Sequence, residues 1–458
     1  MNSSMKEKEK NLTGYLSPLG AWALSCGCAV GWGAFMMPGT TFLPIAGPVG
    51  TVIGITVGGL IMLIIAVNCH YLMNRYPDAG GIFTYTKNLY GYDNGFLSAW
   101  FLLLTYIAIM WANATALPLI ARNLFGGLLQ FGFHYEIAGY QVYGGEVLLA
   151  LCALGVSALL CLHKKAAEKV QILMALFLII GVTIGIFSAV LNPNVSRDIL
   201  KPNFPPGVKP FEGIFTIIAL APWAYVGFES ISHSSSEFSF SSKKSLMIMV
   251  VAVIAAAFAY SALAVLAVAV LPEGISSWPE YIGNLGSYSG LEGLPTFFSA
   301  TSLMGTMGTI VLAVTTFGAI VTGLVGNYIA SSRLIFALAE DQMMPERFAE
   351  LDKNHTPKNA IIFLLCISVI IPFLGRSAIG WIVDVATVGA TIAYAYLSAC
   401  AFKDSKGKSK IIRVSGMVGF VVSILFVLYF LVPSLLAVDT LSMESYLILS
   451  AWGIFGLM

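Results

Sequence analysis

Apolar runs of about twenty residues recur along the whole chain, separated by short charged or glycine- and proline-rich punctuation. Each run is long enough to cross the roughly 30 Å hydrocarbon core of a bilayer as a helix. In that solvent backbone polar groups must be satisfied within the chain, which leaves only helices and closed barrels as spanning structures. Runs of this length select helices. Composition agrees: 58% of the residues are hydrophobic and 10% charged, against about 25% charged in a soluble domain. Most of the surface must therefore face something other than water. The expectation is an all-α integral membrane protein in which one helical domain uses nearly all of the 458 residues.

Twelve spans are expected, at residues 17–43, 49–73, 94–125, 143–162, 168–191, 211–235, 245–271, 297–340, 359–375, 379–402, 412–436 and 442–458. The first, third and eighth exceed a straight crossing, so tilts, breaks or helical loop pieces are expected there. Lys and Arg orient the array through the positive-inside bias. Nineteen of them fall on the side of the N-terminus, including Lys6, Lys8, Lys10, Arg75, Lys164, Arg333 and Lys403. Arg122, Arg197, Lys201, Lys209 and Arg376 fall on the other side. Both termini are expected in the cytoplasm, and the membrane is expected to be the plasma membrane. The apolar segment after the polar start is too long and too glycine-broken for a signal-peptide core, so it is read as the first span.

Several functions are disfavoured. A net charge of +1 with no long basic block gives no nucleic-acid surface. The seven cysteines lie in apolar segments or at their ends, as small packing residues do, and make no disulfide framework. The five histidines show no i, i+3 or i+4 pairing that would hold a catalytic metal. No enzyme and no cofactor are expected, and nothing points to an accessory subunit.

Two spans carry unusual sequence at corresponding places. The first contains Gly27, Gly31 and Gly33 within Ser25–Phe35, and the sixth reads Pro222-Trp-Ala-Tyr-Val-Gly-Phe-Glu-Ser230. Glycine and proline weaken helices, and backbone freed at membrane depth is tolerated where it lines a cavity or packs against protein. The two segments lie five spans apart and so cross in opposite directions. That is the signature of an inverted repeat of five plus five helices around a midplane site. Paired breaks also favour alternating access over a channel, which is commonly built on rings of filter groups. Gly54 and Gly58 in the second span read instead as a close-packing pattern.

At these residues the chain resembles the amino acid–polyamine–organocation transporter superfamily. Gly31-Trp-Gly-Ala-Phe35 sits where that family has its Gly-Ser-Gly-Ile-Phe-like break, and Trp223-Ala-Tyr-Val-Gly-Phe-Glu229 matches its sixth-helix pattern. Tyr76-Pro-Asp-Ala-Gly-Gly-Ile-Phe-Thr-Tyr85 is similar to its Pro-x-Ala-Gly-Gly-x-Tyr-x-Tyr element, and Ser332–Pro345 to the signature that closes its eighth helix. The resemblance implies the leucine-transporter-type fold: a tail over 1–16, a ten-helix core over 17–402 with broken helices 1 and 6, and two further helices over 403–458. It implies a secondary active transporter of an amino acid or similar small solute. Gly31, Trp32, Gly33 and Ala34 would hold the acid end at an exposed helix start. Trp223, Ala224, Tyr225 and Val226 would line the other side, with Trp223 and Glu229 as gate or coupling residues. The family often has serine where this chain has Trp32, which keeps amines and unusual acids open as substrates.

A carboxylate inside a membrane is a functional candidate by default. Glu229 would take a proton, pair with a substrate amine, or bond to backbone freed by the break. Asp384, in the outer half of the tenth span, reads equally as structural or gating. Glu237 is expected to be solvated at the end of the sixth span, and His233 to be a packing residue. Proton-coupled relatives often carry a lysine in mid helix 5, and here that place falls near Leu178. By resemblance to sodium-coupled transporters, Gly27, Val30, Tyr328, Ser331 and Ser332 would supply oxygens to Na+, unless both serines bond back to their own helix. The expectation leans to Na+-coupled symport, with proton coupling or exchange of amino acids or (poly)amines as the alternative.

Overall fold

The computed structural model describes residues 12, 14–137, 139–193, 195–432 and 441–457. Lys6, Lys8 and Lys10 of the expected basic tail, and the side chains of Arg197 and Arg376, lie outside the described residues. The chain is almost wholly helical, as expected. Among the described residues, nine helices are long and apolar enough to cross a membrane, or ten if one bent pair counts as a span.

Helix α1 (Pro18–Ala29) opens with Pro18 at its first position and with the Ser17 hydroxyl accepting from the Gly20 amide at 3.0 Å, which satisfies one of the orphan donors of a helix start. It stops at Val30, and the chain resumes as α2 (Gly33–Met37), a π-helical turn (Pro38–Phe42) and α3 (Leu43–Arg75). Gly47, at φ 66° and ψ −178°, interrupts α3 just before Pro48. Contacts to the sixth expected span show what that interruption does. Leu16 bridges to Phe238, Gly33 meets Trp223, Gly54 meets Ile217 and Asn74 bonds to Ser242. Residues 16 and 74 thus end on the same side, and the chain turns back at Gly47.

The sixth expected span is bent by 46°. It consists of α8 (Pro210–Ala219), α9 (Ala221–Tyr225), a break at Val226 and Gly227, and a 3₁₀ helix over Phe228–Glu237. Ten residues is long for 3₁₀ geometry, which rarely persists beyond three or four. Between the two broken segments run α4 (Ile82–Tyr90), α5 (Tyr92–Phe125), α6 (Gly144–Cys161) and α7 (Lys164–Val190). After them come α10 (Ser245–Leu266) and α11 (Trp278–Gly283).

One span breaks as its length implied, and two other features were not expected. The eighth span is two helices, α12 (Pro295–Met304) and the 35-residue α13 (Thr306–Glu340), parted by Gly305 at φ 63°. That positive φ suits a glycine and ends a helix. The link after α5 contains an antiparallel hairpin, β1 (His134–Ile137) and β2 (Tyr140–Tyr143). Arg122 pins it, donating to Glu146 and to the Gln141 carbonyl. Finally, Glu237 is buried rather than solvated: it lies in an ion cluster that only the folded chain assembles. The chain closes with α14 (Lys358–Ser368), α15 (Ala378–Asp404), α16 (Lys410–Leu431) and α17 (Met443–Leu457), the last a shorter apolar helix.

Candidate functional site

The two breaks face each other. Ser25 donates to the Phe228 carbonyl at 2.6 Å, joining the helix ends across the gap. Gly227 adopts φ 108° and lies so close to helix α1 that an added β-carbon would stand 2.5 Å from Cys28 Cβ. Only glycine meets both requirements without strain. On the other side of the gap the Trp223 indole covers Gly33, its Cη2 2.5 Å from the same kind of point. Phe42 and Tyr260 meet that indole edge-on, with centroids 6.5 and 6.1 Å away.

The first break exposes backbone. Among the described residues the Gly31 and Gly33 amides donate no backbone hydrogen bond, while the Trp32 amide reaches Asn113 Oδ1 at 3.4 Å. Asn113 also approaches Gly31 and Gly323, and so joins the break after α1 to helices α5 and α13. Free N–H groups at the start of α2 form the positive end of a short helix dipole. The Tyr225 hydroxyl points away, donating to the Ile55 carbonyl of α3 at 2.6 Å. Ala224 and Val226 are buried in the same wall.

A cavity of about 280 Å³ adjoins Trp32, on the side of the breaks away from the N-terminus. Met36, Met37, Leu119 and Val383 supply apolar walls, and Thr40, Thr41 and Asp384 the polar groups. A second cavity of about 330 Å³ shares Met36, Thr40 and Leu119 with it and extends to Tyr288. Of the expected substrate residues, Trp32 is the one that lines these cavities. Gly31, Gly33, Ala34 and Trp223 do not line them, although Leu220, three residues before the indole, lines the first.

Glu229 is wholly buried beside the second break. Its Oε1 accepts from Tyr106 at 2.9 Å, and its Oε2 from Tyr394 at 2.8 Å and from the Gly227 amide at 3.0 Å. Three neutral donors on α5, α15 and the break itself hold it. One of the three, the Gly227 amide, is backbone freed by the break.

The N-terminal side is closed. Glu237 pairs with Arg333 at 2.9 Å and with Lys164 at 2.5 Å, all three buried. Tyr15 lies over the Lys164 ammonium, 5.4 Å from ring centre. Burial, and then the charge of Glu237, push its phenol well above the usual range, so it stays neutral. The Tyr15 and Leu16 amides both donate to the Glu237 carbonyl, and the Ser239 amide to Leu16. These bonds lock the start of the chain to the end of the broken sixth segment.

The oxygens expected around a cation are not gathered in one place. Gly27 packs on Thr322, whereas Ser331 and Ser332 lie two to three turns further along α13. Ser331 donates to the Asn327 carbonyl at 2.7 Å and Ser332 to Ile329 at 3.1 Å. Ser332 also accepts from the Arg333 guanidinium at 3.1 Å, and Tyr328 is buried with no partner at its hydroxyl among the described residues. Leu178 is a buried packing residue.

Residues 16–457 match the amino acid permease family. The chain belongs to that family. The permease is similar to the branched-chain amino acid permease of Lactococcus lactis, with 24% identity covering 80% of this chain and 77% of the relative. It is also similar to the methylthioribose transporter of Bacillus subtilis, with 23% identity over 84% and 81% of the two chains. The vacuolar cationic amino acid transporter 4 of Arabidopsis thaliana shares 22% identity over 84% of this chain and 62% of its own. The permease is thus a multi-pass membrane protein of the amino acid–polyamine–organocation superfamily, whose named relatives are transporters.

Sequence reasoning missed several residues of the site. Asn113 carried a readable signal, an amide inside an apolar span. Tyr106, Tyr394 and Tyr260 carried none, since a tyrosine in a span is ordinary until its hydroxyl partner is known. Thr322 was masked by the hydroxyl-rich stretch nine residues later.

Proposed function

We propose that this permease is a secondary active transporter that carries an amino acid, or a solute resembling one, across the plasma membrane by alternating access. The carrying observation is the meeting of two helix breaks beneath a cavity open on one side and closed on the other. In this reading both termini are cytoplasmic, so the cavity faces outward and the Glu237–Arg333–Lys164 cluster seals the inside. The chain crosses twelve times when the reversal at Gly47, the bent sixth span and the short α17 are each counted. The first ten crossings form the five-plus-five inverted repeat.

The solute's carboxylate would sit on the free amides of Gly31 and Gly33, at the positive end of α2. Trp223 would swing off Gly33 to admit it and act as the gate. Transport then requires the segments holding both breaks to move against α5, α7 and α13, opening the ion cluster as the outer cavity closes.

Sodium is the coupling ion in this reading. Gly27 and Val30 would offer backbone oxygens, and Thr322, the hydroxyl that stands against Gly27, would join them. Ser331 and Ser332 are less suited than the sequence implied, because a fixed guanidinium already donates to one of them. Proton coupling through Glu229 is disfavoured by its three donors.

The test is uptake by the full chain in liposomes. Labelled amino acids and amines would be offered under an inward sodium gradient, an inward proton gradient, or internal unlabelled solute. Sodium-driven accumulation that is lost in Thr322→Ala but kept in Ser331→Ala/Ser332→Ala supports the proposal. Proton-driven uptake, or uptake that needs only internal solute, overturns the sodium assignment. No uptake of any solute overturns the transport reading.

A further inference from the structure

The outer cavities hold one carboxylate, that of Asp384. Neither is lined by Lys, Arg or His among the described residues. Asp384 comes from the first third of α15 and faces Trp32, Met36 and Met37 of the first broken segment. Its Oδ2 accepts from the Ser445 hydroxyl at 2.6 Å and from the Ser442 amide at 3.4 Å. Among the described residues its Oδ1 accepts nothing. Among the described residues the buried carboxylates, Glu229, Glu237, Glu146 and Asp404, each have two or three donors or a cationic partner. Asp384 has two neutral donors on one oxygen, and its residue lines a cavity with largely apolar walls.

A half-buried carboxylate beside thioether and aliphatic walls is costly unless a charge meets it. No charge of the described chain does. The walls leave room for a small solute, whose acid end would lie on the Gly31–Gly33 side and whose far end would reach α15. We propose that Asp384 is the counter-charge for a cationic group on the solute, and that the permease selects a basic amino acid or a diamine over neutral amino acids. This rests on the transport reading above and names its substrate class. The bonds from Ser442 and Ser445 fix the carboxylate at the cavity wall and leave Oδ1 for an ammonium or guanidinium.

Three variants of the full-length permease in liposomes test the assignment. Uptake and competition would be measured for lysine, arginine and putrescine, and for leucine, methionine and alanine. Ligand-induced shifts in thermal unfolding would be recorded in parallel. Asp384→Asn should weaken the cationic solutes about ten- to a hundredfold, the worth of one charge-assisted hydrogen bond, and leave the neutral ones within a few-fold. Asp384→Glu should keep the preference for cations. Ser445→Ala removes the tie to α17 but keeps the charge, and should keep the preference too. Equal losses for neutral and cationic solutes in Asp384→Asn would mean a structural aspartate and overturn the inference. So would a native permease that carries neutral solutes and ignores cations, although transport itself would stand. Cation-specific thermal shifts that vanish in Asp384→Asn, with no uptake of anything, would keep the inference and remove the transport reading.

Discussion

The Trp223 indole lies on Gly33, with Cη2 2.5 Å from the point where a β-carbon on that glycine would stand. Substitution there sets a methyl against a ring already held by Phe42 and Tyr260. The ring is rigid and cannot yield as a flexible chain end would. Gly33→Ala should therefore displace the indole and lower uptake by about ten- to a hundredfold, the cost of overpacking a filled contact. Protein level and folding should stay near normal. Gly33→Ala combined with Trp223→Leu should recover part of the loss. Uptake normalised to protein in the membrane is the measurement, and an unaffected Gly33→Ala would show that the indole leaves Gly33 freely.

Gly227 is a different case, because its constraint is conformational as well as spatial. At φ 108° a side chain is strained, and here it would also strike Cys28 Cβ. Gly227→Ala should lower the stability of the detergent-purified protein by about 1–3 kcal/mol, and Gly227→Val by more. Replacing Cys28 with glycine in the same chain should relieve only some of the steric part, because the Cys28 backbone carbon would still stand 2.7 Å from the new β-carbon. Thermal unfolding of the two single variants and the pair would separate the contributions.

The buried cluster of Glu237, Arg333 and Lys164 supports a third prediction. Glu237→Ala leaves two cations buried without a counter-charge, and removing one partner of a buried pair costs about 3–5 kcal/mol. Lys164→Met in that background should restore some of it, since one stranded charge is removed. The same variant should also open the N-terminal side. In a background keeping Cys28 as the sole cysteine, Cys28 should react faster with a thiol reagent when Glu237 is replaced. Unchanged labelling would mean that the Tyr15–Leu16 bonds to the Glu237 carbonyl seal that side by themselves.

Much of this architecture is legible in the chain because a bilayer leaves few choices. Apolar runs set the helices, and the glycines at 27, 31 and 33 and the Pro222–Gly227 stretch mark the two breaks that the fold places side by side. What was not legible depends on side chains meeting across helices. Glu237 stands at a helix end and reads as solvated until Arg333 and Lys164 arrive from α13 and α7. The hairpin after α5 contains only four-residue strands, too short for an alternating pattern to stand out. The hydroxyl that faces helix α1 is Thr322, and no local feature distinguishes it from Ser331 and Ser332. Helix register against a neighbour is a property of packing rather than of spacing.

Glu229 offers the sharpest contrast between a structural and a coupling carboxylate. As a structural acceptor it ties the second break to α5 and α15 through Tyr106, Tyr394 and the Gly227 amide. Glutamine keeps the shape and can accept from the Gly227 amide and one tyrosine while donating to the other. Glu229→Gln should therefore keep uptake within about tenfold, the worth of one net hydrogen bond, and leave its dependence on external pH unchanged. Glu229→Ala strands two buried phenols and an amide at about 1–3 kcal/mol each, and should destabilise the protein and abolish uptake. Tyr106→Phe and Tyr394→Phe should each cost a fraction of that. A proton-carrying glutamate behaves otherwise: glutamine would then abolish uphill transport and its pH dependence while leaving thermal stability intact. Uptake against pH for the native protein and Glu229→Gln, beside their unfolding temperatures, decides between the two.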